Sequence, residues 1–397
     1  MTMKYLLRLL PLLFIAGCSQ PEIPAELKQG IDSITAKWVP DTREAIADIV
    51  LVNDSAGGLV LQGETDLPGL KNEITSFLEM KKISFTDKLI VLPDRAVIGK
   101  PWGLVTVSVT QMKGEPSHSS EMVSQAIMGT PVKILKKKGG WSLVQTPDNY
   151  LGWISDSGLQ ELTDNEFDDW RKSKRFIFLG TFGHVFPGKD SNFIVSDLVS
   201  GVIVEDAGGG SDGIASVKLP DGRSGGVARE LLMDFDLWCG SVGPDVKRMI
   251  NFAASLGGSP YMWGGTSVKA MDCSGLTKIT YFTSGIILAR DASLQYRHGI
   301  KIDVSGTYKN LEPGDLLYFG HINSEGKERI THTAMYIGNT EYIHSSGMVK
   351  INSLDSTRTN YSSYLRNILR GARRIIGAGS MPGTMKVADH EWYRIIK

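Results

Sequence analysis

The chain has 397 residues, with 43 lysines and arginines against 43 aspartates and glutamates, and so a formal net charge of zero. Balanced charge leaves no basic footprint for nucleic acid, and 42% hydrophobic with 22% charged residues excludes a disordered chain. The length exceeds one ordinary core, so two to four domains are expected.

Residues 1–17 read as a targeting segment. Lys4 and Arg8 flank or enter the apolar run "LLRLLPLLFIAG", too short to span a bilayer and secretory in shape. Its end, "IAGC", resembles the lipobox of bacterial lipoproteins. That resemblance implies cleavage before Cys18, lipid on its thiol, and a protein anchored in the cell envelope, outside the cytoplasmic membrane or on the outer membrane. Cys239 and Cys273 then remain, in a compartment that permits a disulfide between them. No Cys-x-x-Cys pair suggests structural zinc, and no metal or cofactor is called for.

Residues 18–94 read as a linker and a small mixed region. A helix is expected in "GLKNEITSFLEMKKI", and strands in "DIVLV" and "KLIVL". Two related blocks follow, over 95–165 and 166–240. Val123 and Val195, Gly129 and Gly201, and Val132 and Val204 match at one offset. Pro147-Asp148 matches Pro220-Asp221 with one residue inserted. Short β-branched runs between Gly, Asp and Pro turns predict two small barrels, which resemble bacterial SH3-like domains.

From about 241 to 397 the pattern changes to helices followed by strands, the order of an α+β domain. In "PDVKRMINFAASLGG", Val246, Met249, Ile250 and Ala253 fall on one helical face. A second helix begins at "MDCSGL", and strands are expected at "GDLLYFG", "THTAMYIG" and "EYIHSSG". Asp272 or Ser274 can cap the second helix and place Cys273 in its first turn, where the helix dipole lowers a thiol's pKa. His332 and His344 lie downstream in strands, and a nucleophilic thiol needs a base with an orienting partner. The pattern alone leaves two readings open, a nucleophile and a buried, inert cysteine. His321 reads as a surface loop residue, and His118, His184, His298 and His390 carry no supporting pattern.

"SPYMWGGTS", "MDCSGL", "PGDLLYF", "THTAMYIG" and "YIHSSG" stand in the order of the NlpC/P60 cell-wall cysteine peptidases, which this block resembles. The resemblance implies a papain-like α+β domain with Cys273 as nucleophile, His332 as general base and His344 as the group that orients it. Tyr261 would support the oxyanion together with the Cys273 backbone N–H. Core packing accounts for Trp263.

Two SH3-like domains ahead of such a domain resemble the γ-D-glutamyl-L-diamino acid endopeptidases. Those enzymes cut stem peptides of peptidoglycan that begin with a free L-alanine. Carried over, Glu121, Tyr150 and Asp291 would bind the alanine ammonium, and Ser274 would contact the stem peptide. Ala292 departs from the pattern, where the relatives have a hydroxyl that Ser293 would supply instead. The repeat is consistent with this: Arg223 stands where the first copy has Tyr150, and Asp190–Asn192 offer no counterpart to the context of Glu121. The alternatives are a hydrolase of polymeric wall and a non-catalytic, wall-binding lipoprotein.

Overall fold

The computed structural model describes residues 23–188, 193–211, 213–241, 243, 245–381 and 383–394. Cys18, the segment before it and Asp190–Asn192 lie outside the described residues. The chain forms two compact units. One holds the residues up to Pro40 with Ile46–Val91, the other Asp41–Ala45 with everything from Leu92 onward.

In the first unit, strand Leu59–Thr65 pairs antiparallel with Ala47–Asn53 and parallel with Phe85–Val91. A parallel neighbour needs a crossover, which helix Pro68–Met80 supplies, burying Leu70, Ile74 and Leu78 at four-residue spacing. A further helix, Ala25–Trp38, starts inside a stretch that reads as polar linker. Only Leu27 and Ile31 are buried along it, too few for a clear periodic signal.

The second unit begins with a seven-stranded antiparallel barrel. Its strand order is Leu159–Leu162, Trp102–Val105, Pro131–Lys138, Trp141–Gln145, Leu151–Ser155, Val109–Lys113 and Met122–Ile127. The next block repeats this path with Leu232–Asp234, Arg175–Phe178, Ile203–Ser211, Ile214–Lys218 and Ser224–Ala228, plus the hairpin Phe182–Val185/Ser196–Val199. The offset read from sequence reappears as hydrogen bonds. The N–H of Gly129 donates to Val105, and that of Gly201 to Phe178. The N–H of Thr146 donates to Tyr150, and that of Leu219 to Arg223.

The remainder is an α+β domain. Its sheet comprises β1 (Ile300–Ile302), β2 (Leu316–Ile322), β3 (Glu328–Gly338), β4 (Glu341–Ser346), β5 (Met348–Ser353) and β6 (Leu369–Arg374), in spatial order β1-β6-β2-β3-β4-β5. Helix Val246–Ser255, capped by the Asp245 side chain, buries Met249 and Ala253. The cysteine helix, Cys273–Phe282, lays Leu276 and Ile279 on a core that includes Tyr318, Met335 and Ile343 of the sheet. Val199, Val202 and Val204 of the second block belong to the same core, so the blocks fold against one another. The first barrel shares its apolar core with Ala289 and Leu294 of the domain and is tied on by polar contacts as well. Lys278 pairs with Asp148 at 2.6 Å, and the Gln125 side chain accepts the Thr266 N–H at 3.0 Å.

Candidate active site

The start of the cysteine helix is set by Asp272, whose carboxylate accepts the Gly275 N–H at 2.7 Å. Tight backbone contact explains the neighbouring glycines. A Cβ on Gly275 would lie 2.0 Å from the Gly265 carbonyl, and one on Gly264 2.3 Å from the Met122 carbonyl of the first barrel. The "WGG" and "CSG" motifs thus fit the barrel, the loop and the helix start together.

Asp272 does more than cap. Its oxygens also accept from the Gly264 N–H, the Ser274 hydroxyl and both terminal nitrogens of Arg290, at 2.6 and 3.2 Å. Arg290 is 1% exposed and further donates to Ser124. Ser274 is buried, donating to Asp272 and accepting from Arg290. Its hydroxyl is spent within the protein, where the sequence reading had it contact substrate. Removing one partner of a buried, hydrogen-bonded ion pair strands the other's charge. Arg290→Met is therefore expected to lower unfolding free energy by about 3–5 kcal/mol, read from urea denaturation of the full chain.

Cys273 is 7% exposed. Burial, and then the Asp272 carboxylate, push its thiol up to about 11, against backbone N–H groups of Thr333 and Ser274 that favour the thiolate. The helix position therefore does not yield a resting thiolate, contrary to the sequence expectation. Desolvation outweighs the backbone N–H groups that favour the thiolate. The Thr333 contact sets the sulfur beside the residue that follows His332. No disulfide forms: Cys239 and Cys273 are both free, and Cys239 packs with Trp238 and Phe235 in a separate core.

His332 on β3 and His344 on β4 meet through Nε2 and Nδ1 at 2.8 Å. Burial drives both imidazoles down, His332 to about 3 and His344 to about 4, with the Lys350 charge adding to each. Both rings are neutral at physiological pH. The His344 Nε2 lies 2.8 Å from Oδ1 of Asn352 on β5, and the Asn352 amide nitrogen donates to the Asn360 carbonyl at 2.7 Å. Asn352 has no pattern in the sequence that marks it. It is found only once β4 and β5 are paired.

Tyr261 is bridged to Met271 and partly buried. Burial, with Cys273 and Asp272 nearby, pushes its phenol up to about 12, so it stands protonated beside the thiol. Trp263 is not a core residue. It is 64% exposed, and its indole N–H donates to Glu121 Oε1 at 2.7 Å. His321 is exposed as expected, but on strand β2 and not in a loop.

Asp291 and Tyr150 come together. The Tyr150 ring is 5% exposed in the first barrel's core, while its hydroxyl donates to Asp291 Oδ2 at 3.1 Å. The same oxygen accepts from Arg43 at 2.6 Å. Glu121, an exposed residue, pairs with Trp263 instead.

Residues 258–371 match the NlpC/P60 family, and residues 114–159 match the bacterial dipeptidyl-peptidase SH3 domain. The chain carries an NlpC/P60 domain. The SH3 match falls within the first barrel, and the likeness of the second block rests on its repeated strand path. A γ-D-glutamyl-L-lysine dipeptidyl-peptidase of Bacillus cereus is 29% identical over 274 residues, 66% of this chain and 77% of that one. A dipeptidyl-peptidase 6 of Lysinibacillus sphaericus is 27% identical over 284 residues, 65% of this chain and 93% of its own. In fold, the chain is similar to the crystal structure of an NlpC/P60 family protein from Bacillus cereus. The TM-score is 0.59 at 22% identity, over 69% of this chain and 99% of that one.

Proposed function

We propose that the chain is a cysteine endopeptidase that hydrolyses the γ-D-glutamyl–diamino acid bond of peptidoglycan stem peptides, taking free muropeptides that begin with L-alanine. The observation that carries this reading is the meeting of Asp291 and Tyr150, a carboxylate of the NlpC/P60 domain and a phenol of the SH3 barrel. A carboxylate held by a neighbouring domain at 26% side-chain exposure is suited to an ammonium, with its charge and three donors, and gains far less from an acylated nitrogen, with one N–H and no charge. The two relatives named as dipeptidyl-peptidases support the same class.

In this reading His332 Nδ1 takes the thiol proton as Sγ adds to the γ-glutamyl carbonyl. The Tyr261 hydroxyl and the Cys273 N–H face the oxyanion. His332 then returns the proton to the leaving α-amine of the diamino acid. Water, deprotonated by the same nitrogen, adds to the thioester and expels the thiolate, which recovers its proton. The division into 95–165, 166–240 and 241–397 belongs to the proposal, as does acylation of Cys18, which would hold the enzyme at the envelope.

The test compares L-Ala-γ-D-Glu-diaminopimelate with its N-acetylated form, using Cys273→Ala as the blank. Acetylation is expected to lower kcat/KM at least about a hundredfold, the loss that follows when a buried charge loses its partner. Equal cleavage of both peptides would assign the enzyme to polymeric wall.

A further inference from the structure

The segment Asp41–Ala45 lies outside both family matches, yet it reaches the Asp291 site. It is fastened to the first barrel. The Arg43 carbonyl accepts the Leu151 N–H at 2.8 Å, and the Glu44 carbonyl accepts the Gln145 side chain at 2.9 Å. From this anchorage the Arg43 guanidinium donates to Asp291 Oδ2 at 2.6 Å and to Ser293 Oγ at 3.2 Å from each terminal nitrogen. Ser293 is the hydroxyl expected to stand in for the one missing at Ala292. A cation of the chain itself thus engages the oxygens on which a substrate ammonium would depend.

We propose that Arg43 is a specificity-determining residue, an internal counter-ion of Asp291 that the substrate's ammonium displaces and a blocked N-terminus cannot. The inference rests on the ammonium reading of Asp291 and deepens it.

The geometry makes displacement feasible. Arg43 is held independently by Asp41, through Nε at 2.8 Å and Nη2 at 2.7 Å. Letting go of Asp291 costs chiefly the contacts of the remaining nitrogen, and the guanidinium keeps its planar, two-point pairing with Asp41. Asp41 is steadied in turn by Arg297 at 2.7 Å, so it stays in place to receive the freed cation. An incoming ammonium brings three donors and one charge, enough to replace what Asp291 and Ser293 lose. An N-acetyl group brings one amide donor and no charge. It would leave the Asp291 charge without a counter-ion if it pushed Arg43 aside, and would meet Arg43 if it did not. Arg290 does not substitute, because its nearest approach to Asp291 is 3.9 Å and Asp272 already holds it.

The test measures steady-state cleavage of the free and N-acetylated peptides by the wild type, Arg43→Gln and Arg43→Lys in the full chain. Thermal melts of each variant serve as the folding control. Arg43→Gln removes the charge but keeps donors for Asp41 and Ser293. It is expected to lower KM for the free peptide about tenfold with kcat within about twofold, the gain from relieving one competing ion pair. It should also narrow the preference over the acetylated peptide, while Arg43→Lys, which keeps the charge but loses the two-point hold on Asp41, should keep more of that preference than Arg43→Gln. A KM that is unchanged or raised in Arg43→Gln, in a wild type that does discriminate, would overturn the displacement role. It would make Arg43 a fixed wall of the pocket. A wild type that cuts both peptides equally would instead remove the ammonium reading itself.

Discussion

Cys273→Ala and His332→Ala are each expected to lower kcat/KM by about 10⁴-fold or more, and the double variant by no more than the worse single one. Residues that act as one unit lose their whole contribution when either is removed, so the losses do not add. The structure makes this dependence strong. Burial holds the Cys273 thiol near 11, so almost no thiolate exists at neutral pH without help. The same burial holds His332 near 3, so the imidazole is already the free base. Thiol and imidazole are therefore both neutral at rest, and under the proposed mechanism the proton moves within the reacting complex.

The pH profile of kcat/KM reports this arrangement. The acid limb should fall as pH drops toward about 3 to 4, where His332 takes a proton, and not near the ordinary imidazole value. On the alkaline side, activity should fall as the peptide's α-amine loses its charge near about 8, well before the thiol titrates. The N-acetylated peptide should lack that alkaline limb. A profile centred on about 6.5 would mean a solvated His332. Iodoacetamide labelling supplies a separate check, since a thiol near 11 alkylates slowly at pH 7 and faster as pH rises.

What was legible in the chain was what local pattern encodes. Asp272 or Ser274 reads as a cap before a helical run and Asp272 is the one that caps it, and the offset between the two blocks survives as matching turn hydrogen bonds. The errors share a cause. Trp263 reads as core because tryptophan is usually buried, but its surroundings depend on where the first barrel places Glu121, 142 residues away. Ser274 reads as a contact to the stem peptide by the resemblance, yet Arg290 engages its hydroxyl from 16 residues on. The lowered thiol pKa follows from the dipole alone, whereas desolvation depends on how β3 covers the helix start. Arg43 gives no signal at all, since its partner Asp291 is 248 residues distant. Charge pairs across domains leave no periodic trace.

Asn352→Ala is expected to lower kcat about a hundredfold with KM nearly unchanged, because it releases the tautomer of both histidines. The argument runs along one chain of hydrogen bonds. The Asn352 amide nitrogen faces the Asn360 carbonyl, which only accepts, so Oδ1 must point at His344. An amide oxygen also only accepts, so His344 Nε2 carries the proton. A neutral His344 then presents a bare Nδ1, and His332 must donate to it through Nε2. That leaves His332 Nδ1 unprotonated, which is the state a base for Cys273 requires. With Asn352 gone, His344, 1% exposed, loses the fixed acceptor that dictates its proton. Its other tautomer would place a proton on Nδ1, turn His332 over, and protonate the nitrogen that should take the thiol's proton. Holding an imidazole in the wrong tautomer costs up to about 10⁴ in rate where the geometry is otherwise intact, and a mixed population costs less. Nitrogen-15 shifts of the two imidazoles distinguish this from a packing defect. The wild type should show protonated Nε2 on both rings, and Asn352→Ala a mixture. Unchanged tautomers with a reduced rate would assign the loss to packing and leave Asn352 outside the proton path.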